Sequence, residues 1–253
     1  MVLGAVAAGI GVVATLALAA GAVLGRALTP LAGAVAAAFG IVIVVLAGFP
    51  FLVLLVLFVA ASALATRYRF EEKRRGSLQE GVAGERGVSN VLAHILVPTG
   101  LAAAGAIVGH AGATIAILYT SALAFGASDT FASEFGVLAG HARSILSFRP
   151  VAPGTNGGIS AVGTAFAMAA AVFTALLGLI AFYAFHAPTG GAALFLGVVS
   201  VAGFLGCQVD SVVGELIENR GHLGKGGTNF VAMLSAVAIA AGLLTLVGGA
   251  GAV

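Results

Sequence analysis

Two short acidic motifs stand out in an otherwise very apolar sequence. The first is Asp129-Thr130-Phe131-Ala132-Ser133-Glu134, and the second, Asp210-Ser211-Val212-Val213-Gly214-Glu215, repeats its order of aspartate, hydroxyl residue, small residue and glutamate. Carboxylate oxygens are ligands that Mg²⁺ prefers in proteins. We therefore predict a Mg²⁺ site whose ligands are Asp129, Glu134, Asp210 and Glu215, with Asp129 and Asp210 also acting as catalytic residues.

A glycine-rich segment follows each acidic motif. Gly154-Thr155-Asn156-Gly157-Gly158 comes after the first motif, and Gly227-Thr228-Asn229 comes after the second. Glycine allows backbone conformations in which successive N–H groups point at one anion. We predict that these residues bind the phosphates of a nucleotide. The repeated order of acids and Gly-Thr-Asn also predicts an internal duplication of the catalytic half.

Each acidic motif is expected to lie on a helix. At about 100° per residue, the aspartate, the hydroxyl residue, the small residue and the glutamate cover one arc of about 140°. Two such arcs facing each other would place four carboxylates around one site, with hydroxyl groups beside them. The hydroxyl residues predicted to contact the nucleotide are Ser128, Thr130, Ser133 and Ser211.

Basic and amide side chains near the membrane boundary can screen phosphate charge. Arg86 and Lys225 each precede an apolar run, and we predict them as catalytic residues that reach a phosphate at the membrane boundary. Arg149 and Asn90 are predicted to contact the nucleotide or the acceptor. The basic cluster of residues 67–75 is interpreted instead as a solvated loop that touches anionic lipid.

The composition is that of an integral membrane protein. Hydrophobic residues make up 60% of the chain, charged residues make up 8%, and the mean hydropathy is +1.16. The 11 lysines and arginines are too few and too scattered for a nucleic-acid partner, and a single cysteine excludes an intramolecular disulfide. No zinc-hydrolase, P-loop or serine-hydrolase motif is present.

Charge-free runs predict the membrane topology. They cover residues 1–25, 27–66, 87–128, 150–209 and 226–253, and a helix needs roughly 20 residues to cross a bilayer. Glycine and proline near 48–50, 109–112 and 186–191 divide each of the three middle runs into two helices. The prediction is an all-α bundle of about eight transmembrane helices, in a single domain of residues 1–253.

The same runs predict the orientation. Each internal run contains an even number of crossings, so all charged segments lie on one face, with loops near residues 67–89, 135–158 and 216–228. Because every lysine and arginine is on that face, the positive-inside rule makes it cytoplasmic. We expect the plasma membrane of a prokaryotic cell as the location.

Four segments together resemble a known family. Residues 127–136 (ASDTFASEFG), 153–160 (PGTNGGIS), 210–215 (DSVVGE) and 226–230 (GGTNF) resemble the integral membrane family of transmembrane protein 19 and the plant phytyl-phosphate kinase. One departure is His94, where that family is expected to have asparagine. The resemblance implies a kinase that converts phytyl or geranylgeranyl phosphate to the diphosphate, with CTP or another nucleoside triphosphate as donor.

Three alternatives remain open. The carboxy-terminal half is distantly similar to CTP-dependent polyprenol kinases, and a CTP-dependent lipid-phosphate cytidylyltransferase would use the same acids. An ion-coupled transporter would also have paired repeats with acids near broken helices, but those acids would lie near the bilayer midplane. The expected partners are the lipid phosphate, the nucleotide and the membrane, and a homo-oligomer is left open.

Overall fold

The apolar runs of the sequence fold into long helices. The computed structural model describes residues 2–109 and 112–250, and these residues contain nine α-helices. Eight of them are long and apolar enough to cross a membrane, which confirms the predicted polytopic all-α bundle; the exception is α4. The helices are α1 Val2–Leu24, α2 Pro30–Ala47, α3 Phe49–Arg67, α4 Phe70–Arg75, α5 Val88–Ile107, α6 Ala113–Gly136, α7 Ala161–Ala184, α8 Ala192–Leu216 and α9 Lys225–Ala250.

Caps, proline and glycine set the helix boundaries. Helix α2 begins at Pro30 after Thr29, whose hydroxyl accepts a hydrogen bond from the Ala32 N–H at 3.3 Å. Gly48, at φ 91°, ends α2 and directly precedes α3, in a conformation that other residues rarely adopt. The predicted break at 109–112 falls between α5 and α6, although residues 110 and 111 lie outside the described part of the chain.

The order of the helices gathers charge at one end of the bundle. The connections α1–α2, α3–α5, α6–α7 and α8–α9 lie on the same side, because contacts join them to one another: the Arg86 main chain bonds to Ala27 and Thr29, Glu80 to Lys225, and Asn219 to Asn156. These connections and the adjoining helix turns contain all 11 basic and all 9 acidic residues of the chain. We call this side the charged end.

Helix α6 is the centre of the bundle. Over an 18-residue stretch of its spanning segment 72% of the residues are buried, compared with 11% over the corresponding stretch of α1, and α6 packs against α3, α5, α7, α8 and α9. Small residues permit the close contact with α8, because a Cβ on Gly203 would lie only 2.6 Å from Ala124 Cβ. The acidic ends of α6 and α8 are therefore held side by side.

A small sheet, which the sequence analysis did not predict, lies between α6 and α7. Its antiparallel strands are β1 Ala142–Ser144, β2 Pro150–Val151 and β3 Gly158–Ile159, in the order β2-β1-β3. The glycine-rich segment 153–158 connects β2 to β3. The sheet therefore fixes both ends of this segment beside the end of α8.

Candidate functional site

A cavity of about 330 Å³ opens at the charged end of the bundle. Its walls come from the last turns of α6 and α8, the start of α9, and segments 77–80 and 153–158. We call it the acidic cavity. The sequence-predicted residues in its wall are Asp129, Ser133, Glu134, Gly154, Thr155, Asn156, Gly157, Gly158, Asp210, Ser211, Lys225 and Asn229.

Asp129 of α6 and Asp210 of α8 meet at one side chain of α9. The amide nitrogen of Asn229 donates to Asp129 Oδ2 at 3.4 Å. In the opposite amide orientation it donates to Asp210 Oδ1 at 3.3 Å and to the Lys225 carbonyl at 3.0 Å. Asn229 is only 3% exposed, so three helices position two carboxylates around one buried amide.

This pair of carboxylates has the donor chemistry of a magnesium site. Neither aspartate is ion-paired in the part of the chain that the structure describes, and adjacent unpaired carboxylates repel each other. Mg²⁺ is commonly held by one or two carboxylates together with substrate phosphates. The oxygens of Asp129, Asp210 and Asn229 fit an ion bound in that way.

Glu134 binds a different partner. Its Oε2 lies 2.5 Å from Lys73 Nζ, and Lys73 also donates to the carbonyls of Thr66 at 2.7 Å and Ala65 at 3.2 Å. Lys73 is 1% exposed and Glu134 is 5% exposed. The interpretation of residues 67–75 as a solvated loop is therefore wrong for Lys73, whose charge is buried between α3 and α6.

Glu215 also binds a neighbouring segment. Its carboxylate accepts hydrogen bonds from Ser144 Oγ at 2.6 Å and from the Leu146 N–H at 3.4 Å. Among the described residues, no group of three or more His, Cys, Asp or Glu side chains could hold a metal ion. The expected four-carboxylate site is not formed, because five residues along a helix correspond to a rotation of about 140°. Each aspartate contacts α9, while each glutamate binds a connecting segment.

The first glycine-rich segment rests directly on α8. Gly157 has a φ of 78°, and a Cβ at this position would lie 2.5 Å from Glu215 Cβ and 2.9 Å from the Ser211 carbonyl oxygen. Only glycine permits this approach. The side chain of Asn219 also donates to the Asn156 carbonyl at 3.1 Å. The segment therefore forms a fixed wall of the acidic cavity.

The second Gly-Thr-Asn copy has a different structure. Gly227, Thr228 and Asn229 lie in the first turns of α9, whereas the first copy lies in a connection between strands. Thr228 is buried with its hydroxyl 3.5 Å from the Gly224 carbonyl, and neither Gly227 nor Thr228 lines the acidic cavity. The two halves share an acidic helix but not the glycine-rich turn between strands that a strict duplication would require.

Lys225 pairs with a residue that the sequence analysis did not select. Its Nζ donates to Glu80 Oε2 at 2.8 Å. Burial raises the pKa of Glu80, but the charge and hydrogen bond of Lys225 outweigh it, so the pKa lies below the ordinary value of 4.5. No local pattern could have revealed this pair, since 145 residues separate its members.

Arg86 lies beside the acidic cavity rather than in its wall. Its guanidinium donates to Asn90 Oδ1 at 3.1 Å, to Thr66 Oγ1 at 3.3 Å and to Thr130 Oγ1 at 3.4 Å. Its backbone N–H donates to the Ala27 carbonyl at 2.9 Å. Because Thr130 directly follows the aspartate of α6, the guanidinium reaches the acidic helix. Asn90 contacts Arg86 and, like Arg86, does not line the acidic cavity.

Two further predicted residues lie elsewhere. Ser128 is buried and donates to the Ala167 carbonyl at 2.9 Å, which joins α6 to α7. Arg149 is exposed in the turn between β1 and β2 and does not line the acidic cavity. Conversely, Gln208 and Glu218 do line it, although no motif marks either residue.

The fold and the site together define a class, a polytopic helical membrane protein with a pair of aspartates at the charged end of its bundle. Residues 13–237 match the family described as Integral membrane protein DUF92. The chain belongs to this family. The match confirms the family that the sequence motifs indicated, that of transmembrane protein 19 and the plant phytyl-phosphate kinase.

Similar proteins occur in an archaeon, a cyanobacterium and a plant. An uncharacterised membrane protein of Methanocaldococcus jannaschii is 33% identical over 196 residues, which cover 77% of this chain and 76% of that one. An uncharacterised membrane protein of Synechocystis sp. is 31% identical over 172 residues, or 67% and 64% of the two chains. Protein PGR of Arabidopsis thaliana is 30% identical over 205 residues, or 69% and 67%. No solved structure matches the chain.

Proposed function

We propose that the protein is a membrane-embedded phosphotransferase that converts an isoprenyl monophosphate, phytyl or geranylgeranyl, to the diphosphate with CTP or another nucleoside triphosphate as donor. The observation that carries the proposal is the meeting of Asp129 and Asp210 at Asn229 inside a polar cavity at the charged end. A lipid tail can lie among apolar helices while its phosphate reaches that end. We assign the charged end to the cytoplasmic face of a prokaryotic plasma membrane, because all 11 bases lie there.

Phosphoryl transfer needs positioning and charge neutralisation more than covalent catalysis. Asp129, Asp210 and the Asn229 amide would hold Mg²⁺, which supplies positive charge to the phosphates when bound. Since the acceptor is an ionised phosphate, no strong general base is required. The buried amide keeps the two aspartates adjacent, which is the positioning that this chemistry demands.

The other polar groups would position the two substrates. Segment 154–158 is assigned to the nucleotide phosphates through its backbone N–H groups. Lys225 and Arg86 are assigned to the charge that develops during transfer. Glu80 holds Lys225 and Thr130 contacts Arg86, so both cations are positioned before any substrate binds.

The test is turnover by the purified protein in detergent. Geranylgeranyl or phytyl monophosphate is incubated with Mg²⁺ and each nucleoside triphosphate, using wild type, Asp129→Asn, Asp210→Asn and the control Glu72→Gln, which changes an exposed carboxylate of α4. We expect isoprenyl diphosphate from wild type and control. Each aspartate variant should lose roughly 100-fold or more in rate at an unchanged melting temperature. Full turnover by either aspartate variant would refute the assignment.

The reaction products and the substrate requirement distinguish this kinase from the three alternative functions. A kinase releases CDP from CTP, whereas a cytidylyltransferase joins CMP to the lipid phosphate and releases diphosphate. A polyprenol kinase would phosphorylate the unphosphorylated alcohol. A transporter would move its substrate into liposomes in the absence of nucleotide.

A further inference from the structure

A second cavity, which we call the apolar cavity, lies between α2, α3 and α5. Its volume is about 70 Å³, and it shares no lining residue with the acidic cavity. Ala36, Val59 and Ala63 in its wall are half-buried, so the seam between α2 and α3 is accessible from the side of the bundle. Its walls are mostly aliphatic and aromatic, formed by Leu28, Leu55, Phe58, Val59, Val91 and Ile95.

Three side chains in this apolar wall carry a buried polar atom that lacks a hydrogen-bond partner among the described residues. These atoms are Ser62 Oγ, Arg86 Nε and His94 Nε2. Ser62 is 2% exposed and His94 is 4% exposed. A buried polar atom without a partner is unfavourable in a folded protein. Three of them around one cavity indicate a ligand that supplies the partners.

The three atoms offer a defined set of hydrogen-bonding groups. Arg86 Nε–H donates, and the Ser62 hydroxyl can donate or accept. His94 Nδ1 lies 2.9 Å from the Asn90 carbonyl oxygen. Because a carbonyl only accepts, Nδ1 carries the proton, and Nε2 of the neutral ring is an acceptor. A phosphomonoester fits this set, since its oxygens accept from Arg86 and Ser62 while a P–OH group donates to His94.

Water alone does not account for the apolar cavity. One water needs roughly 10–15 Å³ and about two to four polar partners, whereas this cavity of about 70 Å³ has mostly apolar walls. A cluster of waters would therefore leave most of its own hydrogen bonds unmade. An amphiphile satisfies both requirements, because its head meets the polar atoms and its carbons meet the walls.

Arg86 connects the apolar cavity with the acidic one. Its Nε lacks a partner, while Nη2 of the same guanidinium lies 3.4 Å from Thr130 Oγ1, next to Asp129. No carboxylate within the described ranges pairs with Arg86, so its charge is available to an anion. Resting on the proposed function, we propose that the apolar cavity is the acceptor-lipid site. It holds the phosphate and the first carbons of an isoprenyl monophosphate.

The test uses a geranylgeranyl monophosphate with a photoreactive diazirine on the isoprenyl unit nearest the phosphate. Labelled peptides of the purified protein are identified by mass spectrometry, and we expect them within residues 55–63 and 91–95. Ala63→Phe fills the cavity and should lower saturable labelling roughly tenfold, the equivalent of about 1.4 kcal/mol of affinity. The matched control Ala60→Phe, at an exposed position of the same helix, should leave labelling unchanged.

Several outcomes would overturn this site. These are the absence of saturable labelling in wild type, labelling confined to other helices, and equal losses in Ala63→Phe and Ala60→Phe. Geranylgeraniol should compete more weakly than geranylgeranyl monophosphate because it offers Arg86 no anion, and equal competition would refute the phosphate contact. If Ala63→Phe does not fold, Ser62→Ala removes the hydroxyl without adding volume to the wall and should also weaken labelling.

The lipid site and the proposed function can be refuted independently of each other, because photolabelling does not require turnover. Specific labelling of the apolar cavity by a protein without kinase activity would support the lipid site and refute the kinase. Kinase activity combined with labelling elsewhere would refute the lipid site alone.

Discussion

The buried pair of Lys73 and Glu134 gives a prediction whose size follows from its contacts. Lys73→Met removes the charge and keeps most of the side-chain volume. Glu134 then loses its donor, and the carbonyls of Ala65 and Thr66 lose theirs. Removing one partner of a buried ion pair costs about 3–5 kcal/mol. We expect the upper end of that range, because three acceptors lose one donor together.

Substituting the other partner of the pair, Glu134, should destabilise the protein less. In Glu134→Gln, Lys73 keeps both carbonyl partners, and the new amide oxygen can still accept from Nζ. One hydrogen bond to a charged group contributes about 1.5–3 kcal/mol, so we expect a loss no larger than this. Combining Lys73→Met with Glu134→Gln removes the uncompensated charge. The double variant should therefore be more stable than the sum of the two losses implies, by about 0.5–3 kcal/mol.

The assay is unfolding of the purified protein in mixed micelles with an increasing fraction of sodium dodecyl sulfate, followed by circular dichroism. Arg74→Met is the control, because its pair with Glu71 is exposed and such pairs contribute at most about 1 kcal/mol. If Lys73→Met costs no more than Arg74→Met, or if the two losses simply add in the double variant, the pair is not the buried, coupled unit described here.

Two further perturbations follow from the structure. Because the pKa of Glu80 is lowered, its pair with Lys225 stabilises the fold above pH 4.5 and loses that effect as the pH falls through the lowered pKa. The melting temperature of wild type should therefore fall more on acidification than that of Glu80→Gln. An equal fall in both proteins would contradict this. Gly203→Ala forces a Cβ to within 2.6 Å of Ala124 and should cost about 1–3 kcal/mol in the same unfolding assay. Gly197→Ala, with open space around its Cβ, should be neutral, and equal losses would count against close helix contact.

The helices of this protein were predictable because their signals are local. Long charge-free runs mark the spans, and the glycine of the α2–α3 junction sits where the sequence predicted a break, at Gly48. The selection of Asp129 and Asp210 needed only two copies of a short motif. In the structure these two aspartates meet at the side-chain amide of Asn229.

The remaining features depend on contacts between distant parts of the chain. Lys73 stands among five other charged residues in 69–75 and looks solvated until α4 packs beside Glu134, 61 residues away. The roles of Glu134 and Glu215 depend on helix rotation and on neighbours that no motif encodes. The strands between α6 and α7 are only two or three residues long, too short to leave a periodic pattern.

Arg86 owes its position to a part of the chain that carries no acid. Its N–H binds the Ala27 carbonyl, and its own carbonyl accepts from the Thr29 N–H at 3.1 Å, a strand-like bridge to the connection between α1 and α2. The connection between α1 and α2 thus fixes the position of the Arg86 main chain and, through it, of the guanidinium. Since this bridge is made of main-chain atoms, substituting the side chains of the connection should leave the arginine in place, whereas changing the length of the connection would move Arg86.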